Sequence, residues 1–147
     1  MSNNDVLALD NQLCFPLYAA ARLVTQAYRP HLEALGLTYA QYLVLLVLWE
    51  RDGRTVTELG ERLYLDSGTL TPLLKRLERS GLVRRQRRRD DERVVENRLT
   101  AEGRRLRKRA AKVPPALLCE VGLDLKETAR IRDTVRGLVG KLERVQR

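Results

Sequence analysis

Two cysteines, Cys14 and Cys119, are the only thiols in a chain of 147 residues. A cysteine is a nucleophile only as the thiolate, so its surroundings decide whether it reacts. Cys14 precedes Phe15 and Pro16, and proline is tolerated only near a helix start because it lacks a donor N–H. The spacing therefore places Cys14 at or within the first turn of a helix, where the partial positive charge stabilises a thiolate. Tyr18, Tyr28, Tyr39 and Tyr42 lie in the two helices nearest it in sequence, and a phenol can donate a hydrogen bond to a thiolate. The plainer alternative is a small buried hydrophobe, and spacing alone leaves both readings open. Two cysteines are too few for a disulfide framework and show no metal-ligand spacing. His31 is the only histidine. No phosphate-binding glycine loop or pair of catalytic carboxylates stands out, so neither a metal nor a cofactor is expected and an enzyme is not.

A second set of residues could read a polyanion. Thr55 and Glu58 have the spacing of a capping box, so a short helix begins there. Asp66 or Ser67 can cap another, in which Leu70, Leu73, Leu74 and Leu77 form one apolar stripe. Gly81 suits the position just past its end. Two helices joined by a short turn, the second polar at its start and basic on its outer face, have the pattern of a helix-turn-helix. Ser67, Thr69, Thr71 and Pro72 occupy the first turns, where such helices meet base edges. Lys75, Arg76 and Arg79 are placed for phosphates or outer base edges. Residues 82–88 and 94–99 then read as two strands around the charged tip Arg89–Arg93. Seven arginines fall between Arg84 and Arg98. An isolated run of this kind would be a solvated hairpin. Behind a helix-turn-helix it reads as a wing, with Arg85, Arg87, Arg88 and Arg89 as candidate minor-groove or phosphate contacts. Asp91 and Arg93 could instead support the wing through a carboxylate–guanidinium pair.

These side chains must be held by the elements around them. A long helix is expected from about residue 11 to 35, with Pro30 marking a kink or an early end. Gly36-Leu37 makes a break, and Thr38 with Gln41 gives a second capping box. The helix after it is apolar on most faces, as a central core helix should be. Thr100 can cap a very basic helix over 101–112, which Pro114-Pro115 should break or kink. Gly122 marks a turn, and Asp124 with Glu127 opens the last helix, which carries Ile131, Val135, Leu138, Val139 and Leu142 along one side. The expected fold class is mainly α with a small β-hairpin wing. A winged helix-turn-helix over about 38–99 is flanked by terminal helices at about 11–35 and 101–147, in a single domain. The apolar stripes of the terminal helices must be buried, on their own domain or on a second copy. One recognition helix covers few base pairs, which favours a two-fold dimer.

The formal net charge of +9 points to nucleic acid or an anionic membrane surface. No apolar run approaches the roughly 20 residues of a membrane span, and the start does not read as a secretory signal. A cytoplasmic location with thiols at rest is expected.

Taken together, Asn11-Gln-Leu-Cys-Phe15, Tyr39-Ala-Gln-Tyr42, Leu45-Leu-Val-Leu-Trp49 and the run from Leu63 to Arg76 resemble the MarR family, and within it the organic-hydroperoxide-sensing OhrR-type repressors. The likeness runs from about Asn11 to Leu118. Asp91-Glu-Arg93 resembles the family's wing-tip Asp-x-Arg. The resemblance implies a dimeric repressor on a pseudo-palindromic operator in double-stranded DNA, with organic hydroperoxide as the signal. By it, Cys14 is the peroxide-reactive thiolate and Tyr28 and Tyr39 are its hydrogen-bonding partners from the other subunit. Cys119 is the resolving thiol of an intersubunit disulfide that releases DNA. The alternatives are a repressor of the same family released by a small aromatic ligand, and a thiol peroxidase.

Overall fold

Three helices begin by the same reciprocal device. Thr38 accepts from the Gln41 N–H at 3.2 Å while the Gln41 side chain accepts from the Thr38 N–H at 3.0 Å. Thr55 with Glu58 and Asp124 with Glu127 repeat the exchange. Each pair satisfies N–H groups that a helix start would otherwise leave unpaired. The computed structural model describes residues 5–146. It divides into two compact units, one running to Ala110 and the other from Ala111.

In the first unit α1 spans Cys14–Glu33 and α2 Tyr39–Glu50. Helix α1 runs through Pro30 and ends three residues later at Glu33, two residues short of the expected end. Helices α3 (Val56–Leu63) and α4 (Ser67–Arg79) follow as the helix-turn-helix. The turn between them uses Tyr64 in the left-handed region, φ 57°, a position that no glycine marks in the sequence. Leu32 of α1, Leu45 and Leu48 of α2, Leu59 of α3, and Leu70, Leu74 and Leu77 of α4 are fully buried. Each contributes roughly 1.5–3 kcal/mol by leaving water, and together they fix the back of α4 so that its polar front is held still.

The end of α4 sets the start of the wing. Gly81 takes φ +76°, and the Leu82 N–H reaches back to the Leu77 carbonyl at 3.1 Å, closing the helix as glycine allows. Strands β2 (Val83–Arg87) and β3 (Val95–Leu99) pair antiparallel, with Val83 opposite Leu99 and Arg85 opposite Asn97. The sheet has a third strand, β1 (Arg54–Thr55), on the other side of β3. Two residues cannot display a period, and their partner lies some forty positions on, so β1 is not readable from the sequence. Asp52 locks this corner: its carboxylate accepts from the Leu99 N–H at 2.9 Å. Helix α5 spans Ala101–Ala110, capped by Thr100, and Trp49 donates to the Gly103 carbonyl at 2.9 Å.

The helix expected over 101–112 does break ahead of Pro114 and Pro115, at Ala110. In the second unit the two prolines occupy the first turn of a new helix, α6 (Val113–Val121), where missing N–H groups cost nothing. Gly122 ends α6, and α7 covers Leu125–Val145. Helix α7 buries none of its residues, and Ile131, Val135 and Leu142 of its stripe are exposed. Leu13 just before α1, and Phe15, Tyr18, Leu23 and Val24 on it, are exposed as well. Among the described residues no helix is long and apolar enough to cross a membrane.

Candidate functional site

Cys14 is the first residue of α1 and is an exposed free thiol. Tyr28 lies fourteen residues further along the same helix. At about 1.5 Å per residue that is about 21 Å of helix, and the two side chains together span well under half of it. Tyr28 packs instead against Tyr39 and Tyr42 of α2, with ring centroids 5.3 and 5.7 Å away, and Tyr39 and Tyr42 are 6.3 Å apart. Burial raises the pKa of all three phenols. For Tyr28 the neighbouring Tyr39 adds to it; Tyr42, also facing both neighbours, is pushed up to about 12. All three are therefore protonated donors throughout the neutral range. Within one chain, then, the cysteine and the tyrosine cluster are both formed and held far apart.

Cys119, also an exposed free thiol, sits near the end of α6. It lines an open groove of about 760 Å³ with Pro114, Pro115, Leu118, Leu123 and Leu125. The groove is apolar because the α6–α7 turn brings leucines from both sides of Gly122 to one edge.

The surface of α4 carries the second set of residues. Asp66 caps the helix by accepting from the Thr69 N–H at 2.7 Å, and that bond lowers its carboxyl pKa. The cap leaves Ser67 as a helical residue. Ser67, Thr69, Pro72, Lys75, Arg76 and Arg79 are exposed and Thr71 is half-buried, on the side away from the leucine stripe. In the wing, Arg85 is anchored through its backbone N–H, which donates to Glu78 of α4 at 3.0 Å. Arg87 donates to the Glu92 carbonyl at 2.8 Å. Arg88 is tied to Asp90 at 3.2 Å and to Glu96 at 3.3 Å. Asp91 accepts from both the backbone N–H and the Nε of Arg93, at 3.1 and 3.3 Å, while the Arg93 side chain is 92% exposed. Glu78 and Glu96 were missed by reading the sequence for cations alone. Strand alternation could have found Glu96, since it puts that residue on the same face as Arg84 of β2 and Arg98 of β3.

Residues 37–95 match the MarR family profile. Over 126 residues the chain is 50% identical to the organic hydroperoxide resistance transcriptional regulator of Bacillus subtilis, covering 84% of this chain and 86% of that one. Among solved structures, reduced AbfR bound to DNA superposes with a TM-score of 0.79 at 38% identity, covering 95% of each chain; AbfR is a protein of Staphylococcus epidermidis. Disulfide-formed AbfR superposes with a TM-score of 0.66 at 39% identity, covering 93% of this chain and 91% of that one. With its capped helix-turn-helix, arginine wing and half-identical relative, this chain belongs to the MarR family of transcriptional regulators, in the OhrR-type branch.

Proposed function

We propose that this chain is a repressor that binds a pseudo-palindromic operator as a two-fold dimer and leaves it when an organic hydroperoxide oxidises Cys14. The observation that carries the reading is the separation of Cys14 from Tyr28 by about 21 Å of a single helix. A thiolate can meet those phenols only if a second copy supplies them. The exposed apolar stripes of α1 and α7 favour the same second copy, because each needs a partner surface. The half-identical relative is named for organic hydroperoxide resistance, and AbfR has been solved reduced on DNA and in a disulfide form.

The chemistry balances without a cofactor. The Cys14 thiolate attacks the distal oxygen of the hydroperoxide, the O–O bond breaks, and the alkoxide leaves and takes up a proton as the alcohol. Cys14 becomes a sulfenic acid. The Cys119 thiol of the partner subunit attacks that sulfur, water leaves, and a disulfide forms. Such a bond requires Cα atoms within about 7 Å, so terminal helices that begin farther apart must move. Because those helices set the spacing of the two α4 surfaces, operator affinity falls. Ser67, Thr69, Thr71 and Pro72 read base edges, Lys75 and Arg76 take phosphates, and Arg85, Arg87, Arg88 and Arg93 serve the wing, whose shape Asp91 supports.

Trapping the oxidised thiol tests this. Cys119→Ser treated with one equivalent of cumene hydroperoxide should accumulate sulfenic acid on Cys14, read by dimedone labelling and mass spectrometry. Wild type should instead give a cross-linked dimer on a non-reducing gel. Dimedone on Cys119 with none on Cys14 would reverse the roles. An unmodified Cys14 would remove peroxide sensing and favour release by a non-covalent aromatic ligand.

A further inference from the structure

The face of the wing built from β2 and β3 carries more positive charge than it could hold unaided. Side chains alternate along a strand, so Arg84 and Gln86 of β2 share a face with Glu96 and Arg98 of β3, and Arg88 lies one step beyond on the same side. Arg84 is the direct cross-strand partner of Arg98, and Gln86 of Glu96. Two guanidinium groups directly opposite each other repel.

One carboxylate offsets the charge of Arg98 and of Arg88 beside it. The Glu96 side chain is only 14% exposed, and its two oxygens are divided between two arginines. Oε2 accepts from Nε and Nη2 of Arg98 at 3.1 and 2.7 Å, while Oε1 lies 3.3 Å from Nε of Arg88. Asp90 Oδ1 lies 3.2 Å from the same Arg88 Nε. Gly53 makes room for this arrangement. A Cβ there would stand 3.2 Å from the Arg98 Cζ, so the guanidinium lies over a bare backbone.

We propose that Glu96 is a positioning residue for DNA binding: a shielded carboxylate that sets Arg88 and Arg98 as a rigid pair, so that removing this negative charge weakens operator binding. The inference rests on the reading that the wing meets DNA. Two effects of Glu96 oppose each other. As an anion near phosphates it repels the duplex. As a clamp it spares two long side chains the loss of rotamer freedom that a phosphate contact would otherwise impose. The sign of one substitution separates them.

Glu96→Gln keeps the shape and one acceptor oxygen while raising the net charge by one. Its affinity for an operator duplex, isolated by selection from random DNA with the wild type, is measured by fluorescence anisotropy from 50 to 300 mM salt. We expect about threefold to tenfold weaker binding, and a slope of log K against log salt smaller in magnitude by about 0.9, the signature of one lost phosphate contact. Tighter binding with an unchanged or steeper slope would overturn the proposal. Arg88→Gln, at an exposed position, should reproduce the reduced slope, and Glu96→Gln on top of it should cost less than it does alone; fully additive losses would overturn the coupling. Arginine Nε–H resonances give a readout without DNA. Those of Arg88 and Arg98 should be dispersed and slow to exchange in the wild type and collapse together in Glu96→Gln, with melting temperature retained. Resonances that do not respond would refute the clamp whatever the DNA result. A wild type with the dispersed pair that selects no DNA would refute the DNA-binding reading, and the positioning role with it.

Discussion

Mixed dimers can assign the two halves of the thiol site to different chains. One subunit carries Cys14→Ser with its tyrosines intact, and the other keeps Cys14 but carries Tyr28→Phe and Tyr39→Phe. Two affinity tags on co-expressed chains isolate the mixed species. Its single Cys14 faces native phenols only if they come from the partner. Cys14 and Tyr28 stand fourteen residues apart on α1, about 21 Å, so on the proposed reading, in which the site reaches across the dimer, this cysteine should react at the wild-type rate. The homodimer with both tyrosines replaced should be slow. A hydrogen bond to a charged group contributes roughly 1.5–3 kcal/mol. At about 1.4 kcal/mol per tenfold in rate, its loss slows oxidation by about tenfold to a hundredfold. The assay is quenched-flow oxidation with cumene hydroperoxide, every chain carrying Cys119→Ser so that the Cys14 sulfenic acid persists to be read by mass spectrometry. A mixed dimer as slow as the tyrosine-free homodimer would refute the trans arrangement. A tyrosine-free homodimer at full speed would remove the phenols from the chemistry.

Other consequences can be checked on the same preparations. Leu74 is fully buried behind the polar front of α4, so Leu74→Ala should cost about 2–5 kcal/mol in urea unfolding and weaken DNA binding, whereas Lys75→Ala should weaken binding alone. Folding raises the Tyr42 pKa from its ordinary 10 to about 12, so its contribution is fully present below pH 10 and is lost as pH climbs through 12. Up to about 2–3 kcal/mol is involved, and Tyr42→Phe should flatten that alkaline fall in denaturant melts. Thr55→Ala removes one half of the α3 capping box and should cost about 0.5–2 kcal/mol, read by the same melts.

What the sequence discloses depends on how local the physics is. The caps at Thr38, Thr55 and Asp124, the leucine stripe of α4 and the glycine stop at Gly81 were readable because each is settled within a few residues. Cys14 at the head of α1 follows from Pro16 by the same kind of rule. Non-local pairings were not readable. Strand β1 has only two residues and gains its identity from β3. Tyr64 adopts a left-handed backbone because the α3–α4 turn requires it, with nothing in its type to say so. The double proline after α5 signals an end and a beginning equally well, and the fold uses the beginning. In the wing, counting arginines located the basic hairpin, yet Glu96, which ties Arg88 to Arg98, lies across the hairpin from Arg88.

The central claim is that oxidation of Cys14 lifts the protein from DNA, and a mobility shift on the selected operator tests it most directly. Wild type and Cys14→Ser are compared reduced, after an organic hydroperoxide, and after added dithiothreitol. Wild type should bind, be released by peroxide and rebind on reduction, while Cys14→Ser should stay bound throughout. Release of Cys14→Ser by peroxide, or wild type that holds its operator after Cys14 is shown to be oxidised, would contradict it.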